Sequence, residues 1–502
     1  MVNSAGLFLA IDQSTSATKA LLFSQEGCLV DQETCSHQQI YPKPGWVEHN
    51  AEEIFQNTLK ATTALLSRHT EKWNNLLALS ITNQRETFVI FDKETGHPLC
   101  NAIVWQCRRG AAICDQLVSA GKEDLVHELT GLKIDTYFPA SKLGWLLHSR
   151  PDLRDRLKEG SALFGTIDTY LIYRLTNCKV YATDHTNASR TLFYDIEKLS
   201  WSQALCDVFG VDFFLLPEVR ESKAWFGDTD LVGFLNTRIP IYGVMGDSQA
   251  ALFAQRCFEL GSAKVTFGTG SSILLNIGHE KRLSDSGTVT ALAWVMDGAP
   301  TYAFEGIINF TGATITWLRD QMQLITNVAE TEALALSVPD NGGVHFIPAF
   351  VGLSAPYWRS DVKAAILGMT PSTTKAHIVR AALESIGFIV TDVINAMSKD
   401  SGVELKTVHG DGGAVSNSFL MQFISDLNQN TLLASQLPEL SALGAVYSGA
   451  LGLKIFATQS ELAALPAEYT KFTPKLDIKT IDGLLENWHL AVNQILNQTK
   501  EG

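Results

Sequence analysis

Two stretches of this chain share one plan, an apolar run, a polar turn and a second apolar run, and each reads as an antiparallel hairpin. The first joins Leu7 to Asp12 and Lys19 to Phe23 through Gln13-Ser14-Thr15-Ser16-Ala17-Thr18, with a third strand expected beyond the Glu26-Gly27 turn. The second joins Ala263 to Phe267 and Ser272 to Ile277 through Gly268-Thr269-Gly270-Ser271. Any β-rich chain contains hairpins, but a chain of 502 residues also exceeds one ordinary core. The echo therefore favours two related α/β lobes, 1–254 and 255–502.

Helices are expected between the strands. Asn50 followed by Glu52-Glu53 has the pattern of an N-cap, and Phe55, Leu59, Thr62 and Leu66 keep the spacing of one buried face. Val379, Leu383, Ile386, Val390, Val393 and Met397 mark a longer amphipathic helix. Ala78 to Ile81, Thr87 to Phe91 and Ala102 to Trp105 read as short strands.

A formal charge of -14, from 39 basic and 53 acidic residues, argues against nucleic acid or an anionic membrane as partner. None of the eight cysteines forms a C-x-x-C pair, which points to reduced thiols in a cytoplasmic protein. The N-terminus lacks a signal-peptide pattern, and no apolar stretch approaches the ~20 residues of a membrane helix.

Asp12 closes an apolar strand, where an ionised carboxylate is costly unless it is paired or binds a cation, so it is a candidate Mg²⁺ ligand as well as a turn cap. The hydroxyls and cation that follow, Thr15, Ser16 and Lys19, suit phosphate oxygens. Gly268-Thr269-Gly270-Ser271 and Gly410-Asp411-Gly412-Gly413 let a nucleotide approach the backbone closely, yet neither completes a G-x-x-x-x-G-K-[ST] or G-x-G-x-x-G pattern. Asp247, in Gly246-Asp247-Ser248-Gln249, falls where a strand passes into a helix, and could be an N-cap or could take a proton from a hydroxyl. The same segment imitates a nucleophile elbow, with Ser248 attacking and His409 or His489 as base. Arg85 and Glu86 can converge on vicinal hydroxyls if they stand in a turn, and Trp105 and Tyr137 offer an apolar wall with a polar edge.

Taken together, these residues resemble the FGGY family of carbohydrate kinases over nearly the whole chain, closest to its glycerol-phosphorylating branch. The most specific stretches are Tyr41 to His49, Ile81 to Thr87 and Asn101 to Arg109, with further agreement at Tyr137 to Leu147, Gly352 to Trp358 and Ala364 to Glu384. The resemblance implies two actin-like, ribonuclease-H-like α/β lobes around a central cleft, the first binding polyol and the second nucleotide. It implies transfer of phosphate from ATP, with Mg²⁺, to a terminal hydroxyl of a small polyol, glycerol first. Asp247 would be the base, Asp12 would position the metal, and Arg85, Glu86, Trp105 and Tyr137 would hold substrate. Thr15, Ser16, Lys19, Thr269 and Gly312 would serve the phosphates, and Gly413 and Asn417 the adenosine end. A homo-oligomer, dimer or tetramer, is also implied.

The chain departs from that branch in five places: Leu231 to Asn236 stand where some bacterial members carry a glycine-rich regulatory loop, and four single residues differ. Ser14 replaces a glycine and Lys19 an arginine on the phosphate side; Ser248 replaces a glutamine and Ser272 a phenylalanine on the polyol side. The last two changes enlarge the substrate pocket and make it more polar, so a four- or five-carbon polyol is an alternative substrate. A serine hydrolase built on Ser248 and an actin-like assembly ATPase are remoter readings.

Overall fold

The computed structural model describes residues 6–212, 216–359, 361–437 and 439–498. Its first unit is built on the strand Leu7–Gln13, every residue of which is buried. Leu7–Gln13 runs antiparallel to Ala17–Ser24, which runs antiparallel to Leu29–Ser36. Its other edge pairs in parallel with Leu76–Asn83, and that strand in turn with Ile239–Gly246. The registers align Gln13 with Asn83 and Asn83 with Gly246. Three parallel strands thus end side by side, and the loops leaving their carboxyl ends can converge.

Both faces of this six-stranded sheet are covered, which explains the unbroken apolar run of its central strand. One cover is the helix Ala51–Ser67. Asn50 caps it by accepting from the amides of Glu52 and Glu53, and of the four residues expected on its buried face Phe55, Thr62 and Leu66 are buried while Leu59 is half-buried at the edge of the core. Another is Leu440–Gly452, whose glycines allow close approach: a Cβ at Gly444 would collide with the Ala250 carbonyl oxygen.

The second unit carries the same order of strands. Ser262–Phe267 pairs antiparallel with Ser271–Gly278 and in parallel with Thr407–Gly412, which pairs in parallel with Thr431–Ser435. The helix Lys375–Ser401 packs on this unit, with Val379, Leu383, Ile386, Val390, Val393 and Met397 all buried.

The units are not two continuous halves of the chain. The first comprises 1–256, 291–302 and 438–466, and the second 257–290, 303–437 and 467–502. Two segments beyond a division at 254/255 cluster with the first unit. One is the outer part of the hairpin Val289–Met296/Ala299–Ile308, and the other carries the helix Leu440–Gly452. Among the described residues no helix is long and apolar enough to cross a membrane.

Candidate active site

In the first unit the candidate residues gather at the carboxyl ends of the three parallel strands. Asp12 lies at the end of Leu7–Gln13, Arg85 and Glu86 just beyond Leu76–Asn83, and Asp247 directly after Ile239–Gly246. Asp12 is 8% exposed, and burial pushes its carboxyl up to about 7; Lys19 opposes the rise, and Glu439 and Asp247 add to it. Lys19, its cross-strand neighbour, donates to both Glu439 oxygens at 2.6 and 2.7 Å. The cation assigned to phosphate thus already holds a carboxylate, and its partner lies 420 residues away in sequence. Thr15 Oγ1 accepts from the Trp105 indole at 3.0 Å, while Ser16 is exposed.

Asp247 opens the helix Asp247–Ala254, and its Oδ1 accepts from the Ser248 amide at 2.6 Å. Arg85 Nε stands 3.2 Å from the same oxygen. Arg85 is buried and is held in turn by Gln249, whose Oε1 accepts from Nη1 at 3.0 Å. Gly246 leaves room for that arrangement, since a Cβ there would come within 2.8 Å of the Arg85 side chain. Glu86 is buried with a left-handed φ of 61°, an arrangement that needs support for a side chain of this size, and Arg190 Nε donates to it at 2.6 Å. Trp105 and Tyr137 face each other with ring centroids 5.2 Å apart.

Behind that pair lies Lys142, fully buried, donating to the carbonyls of Val104 and Trp105 at 3.2 Å each and of Tyr137 at 3.0 Å. Burial pulls its pKa down to about 7. The sequence carries no signal for the contacts of Lys142 with the carbonyls of Val104 and Trp105, nor for those of Glu439, Gln249 or Arg190, because these partners are remote in the chain.

In the second unit, Phe267 pairs with Gly412, so both glycine-rich turns leave the same end of neighbouring parallel strands. Gly268 to Ser271 forms the tip of the hairpin, and the Gly312 and Ala313 amides dock on the carbonyls of Gly268 and Thr269 at 3.1 and 2.9 Å. A Cβ at Gly312 would lie 2.5 Å from the Gly268 oxygen, so the helix Gly312–Asp320 can begin there only with glycine. Gly413 opens a short 3-10 turn with open space where a side chain would be. Asn417 caps Ser418–Asn428 through Oδ1 and donates to Thr331 at 3.1 Å. Ser272, on the strand Ser271–Gly278, has a buried hydroxyl with no hydrogen-bond partner among the described residues. In this unit Thr269, Gly312 and Gly413 stand at backbone turns, Asn417 at a helix cap and Ser272 on a strand, whereas the first unit supplies Asp12, Lys19, Arg85, Glu86 and Asp247.

Residues 7–254 match the N-terminal domain, and 263–453 the C-terminal domain, of the FGGY family of carbohydrate kinases. The chain belongs to that family. As an FGGY kinase it is a phosphotransferase with ATP as donor. It is 46% identical over 490 residues to glycerol kinase 1 of Thermotoga maritima, covering 98% of this chain and 99% of the relative. It is 45% identical over 489 residues to the glycerol kinase of Symbiobacterium thermophilum, covering 97% and 98%. The crystal structure of Plasmodium falciparum glycerol kinase with ADP superposes with a TM-score of 0.93 at 34% identity, covering 98% of each chain. A gluconate kinase from Lactobacillus acidophilus, at 19% identity and a TM-score of 0.87 over 99% of each chain, shares the fold. The actin-like α/β architecture expected from the sequence is the one these FGGY kinases have.

Proposed function

We propose that this FGGY kinase transfers the terminal phosphoryl group of ATP to a primary hydroxyl of glycerol, giving glycerol 3-phosphate. The observation that carries the reading is the Asp247 carboxylate at the end of a parallel strand, fixed through one oxygen by Arg85 and the Ser248 amide, in a chain similar over its whole length to glycerol kinases.

The attacking hydroxyl must lose its proton as the new ester forms. Asp247 Oδ1 is occupied by protein donors, and Oδ2 accepts no hydrogen bond among the described residues, so Oδ2 receives that proton. Arg85 and Glu86 orient the remaining hydroxyls, and Trp105 and Tyr137 wall the carbon chain. By the family resemblance, Thr15, Ser16, Lys19, Thr269 and Gly312 are assigned to the phosphates, and Gly413 and Asn417 to the adenosine end.

Asp12 fits a magnesium ion. It is a hard oxygen donor whose burial opposes its own charge, and no group of three metal-binding side chains occurs among the described residues. A site with a single protein carboxylate suits an ion otherwise held by water and substrate phosphates. When bound, such an ion neutralises phosphate charge.

A four- or five-carbon polyol is the second reading, favoured by Ser248 and Ser272, two small polar side chains where the resembling kinases carry glutamine and phenylalanine. The hydrolase alternative lacks a base, since no histidine hydrogen-bonds Ser248 among the described residues and His489 is bound to Asp392 at 2.7 Å. Turnover with ATP and Mg²⁺ on glycerol, erythritol, threitol, ribitol, xylitol and arabitol, compared as kcat/KM, tests the assignment. Glycerol should lead; a longer polyol in the lead selects the second reading. Asp247→Asn should lower kcat by about 10³-fold or more while ATP still binds, and full turnover in that variant would refute the base.

A further inference from the structure

Three candidate side chains on two strand ends are tied to one short segment that lies outside the motifs described above. The helix His185–Ala188 is a single turn, and Asp184, Thr186 and Asn187 are fully buried. Asp184 accepts from the amides of Thr186 and Asn187 at 3.0 Å each, from Asn187 Nδ2 at 2.9 Å and from Ser222 Oγ at 2.7 Å. Thr186 Oγ1 donates to Asp184 at 2.8 Å and accepts from the backbone amide of Gly246 at 2.8 Å. Gly246 is the residue before Asp247. Asn187 and Asn83 exchange side-chain hydrogen bonds at 2.9 and 3.1 Å, and Asn83 ends the strand that leads to Arg85 and Glu86. Arg190 reaches Glu86 itself.

We propose that the segment 184–190 is a positioning element for the phosphoryl transfer: through Thr186 it fixes the aim of Asp247, and through Asn187 and Arg190 it fixes the Arg85–Glu86 turn, so that base and substrate clamp keep one relative placement. The chemistry favours this division. A hydroxyl that both donates to a buried carboxylate and accepts from an amide has its proton direction set by the carboxylate, which makes it a dependable acceptor at Gly246. The reciprocal amide pair fixes both the distance and the facing of the two asparagines. Thr186 touches no reacting atom; it acts through Gly246 and is a positioning residue, not a catalytic one.

The inference rests on the reading of Asp247 as the base, and one set of variants separates the two. Thr186→Val keeps the shape and removes both hydrogen bonds. With glycerol as substrate, kcat should fall about 10- to 100-fold, the penalty of a small misplacement at the reacting centre, with KM for glycerol and ATP changed less than about 3-fold. Thr186→Ser should restore kcat. Ser222→Ala removes a different hydrogen bond to the same Asp184 carboxylate without touching Gly246; it should lower Tm comparably and leave kcat within about 2-fold. Should the valine variant not fold, Thr186→Cys, with a poor acceptor in the serine position, gives the same comparison, and a kcat below that of Thr186→Ser supports the proposal. A folded valine variant with unchanged kcat, a cysteine variant equal to serine, or an equal kcat loss in Ser222→Ala overturns it. Turnover retained in Asp247→Asn would instead remove the base assignment, whatever the Thr186 variants do.

Discussion

Replacing Lys142 by Met should separate stability from function at the substrate wall. The ammonium is fully buried and donates to three carbonyls, two of them belonging to Trp105 and Tyr137. Burial lowers its pKa from 10.5 to about 7, and an unfolded lysine is protonated throughout that interval. Below about pH 7 the folded state therefore carries a penalty, at ~1.4 kcal/mol per unit, of roughly 4–5 kcal/mol, and the penalty fades as pH rises towards 10. Methionine has a similar length and no charge, so it removes the penalty. At pH 7.5 the amine is largely neutral and has two N–H groups for the three carbonyls, so methionine also removes about two hydrogen bonds worth about 1–1.5 kcal/mol each, or roughly 2–3 kcal/mol together. The two effects nearly cancel at pH 7.5, and the urea midpoint should move by no more than about 2 kcal/mol of stability. Function should not be spared in the same way. The carbonyls of Trp105 and Tyr137 lose their common tether, and two lost anchors at about 1 kcal/mol each correspond to a KM for glycerol raised about 10- to 30-fold. KM for ATP should be unchanged. A coupled assay for ADP, varying glycerol at saturating ATP, measures the first effect and urea unfolding the second. A folded variant with wild-type KM for glycerol would refute the tether, and a collapse in stability would refute the cancellation.

Two further perturbations test other parts of the frame. Asp168 is fully buried, and burial, helped by Asp184, raises its carboxyl from 3.8 to about 7. The folded state holds a proton there that the unfolded chain has released, so this group's contribution falls as pH rises from about 4 to 7, by at most about 4 kcal/mol. Asp168→Asn should accordingly gain stability relative to wild type between pH 5 and 8 in urea unfolding, and parallel pH curves would contradict the assignment. Gly312→Ala places a methyl group 2.5 Å from the Gly268 carbonyl and should displace the Gly268–Ser271 turn. KM for ATP should rise about 10-fold with little change in KM for glycerol, and an unchanged KM for ATP would detach this turn from the nucleotide.

What the sequence determined by itself is local. The Asn50 cap and the spacing of Phe55, Thr62 and Leu66 specify a helix, and the six apolar positions from Val379 to Met397 specify another, because helical periodicity is a property of neighbouring residues. Asp12 and Asp247 were visible as carboxylates at the ends of apolar strands for the same reason. The register of the parallel strands was not visible, and it is the register that sets Gln13, Asn83 and Gly246 in line and so gathers these groups. Nor could spacing join Lys19 to Glu439, Lys142 to the carbonyl of Trp105, or Arg190 to Glu86. Each pair closes a long loop, and no local pattern records which distant residue arrives. The same holds for segments 291–302 and 438–466, which belong to the first unit although they follow the start of the second. A residue type can state that a charge needs a partner; only the packed sheets and helices decide which partner stands within reach.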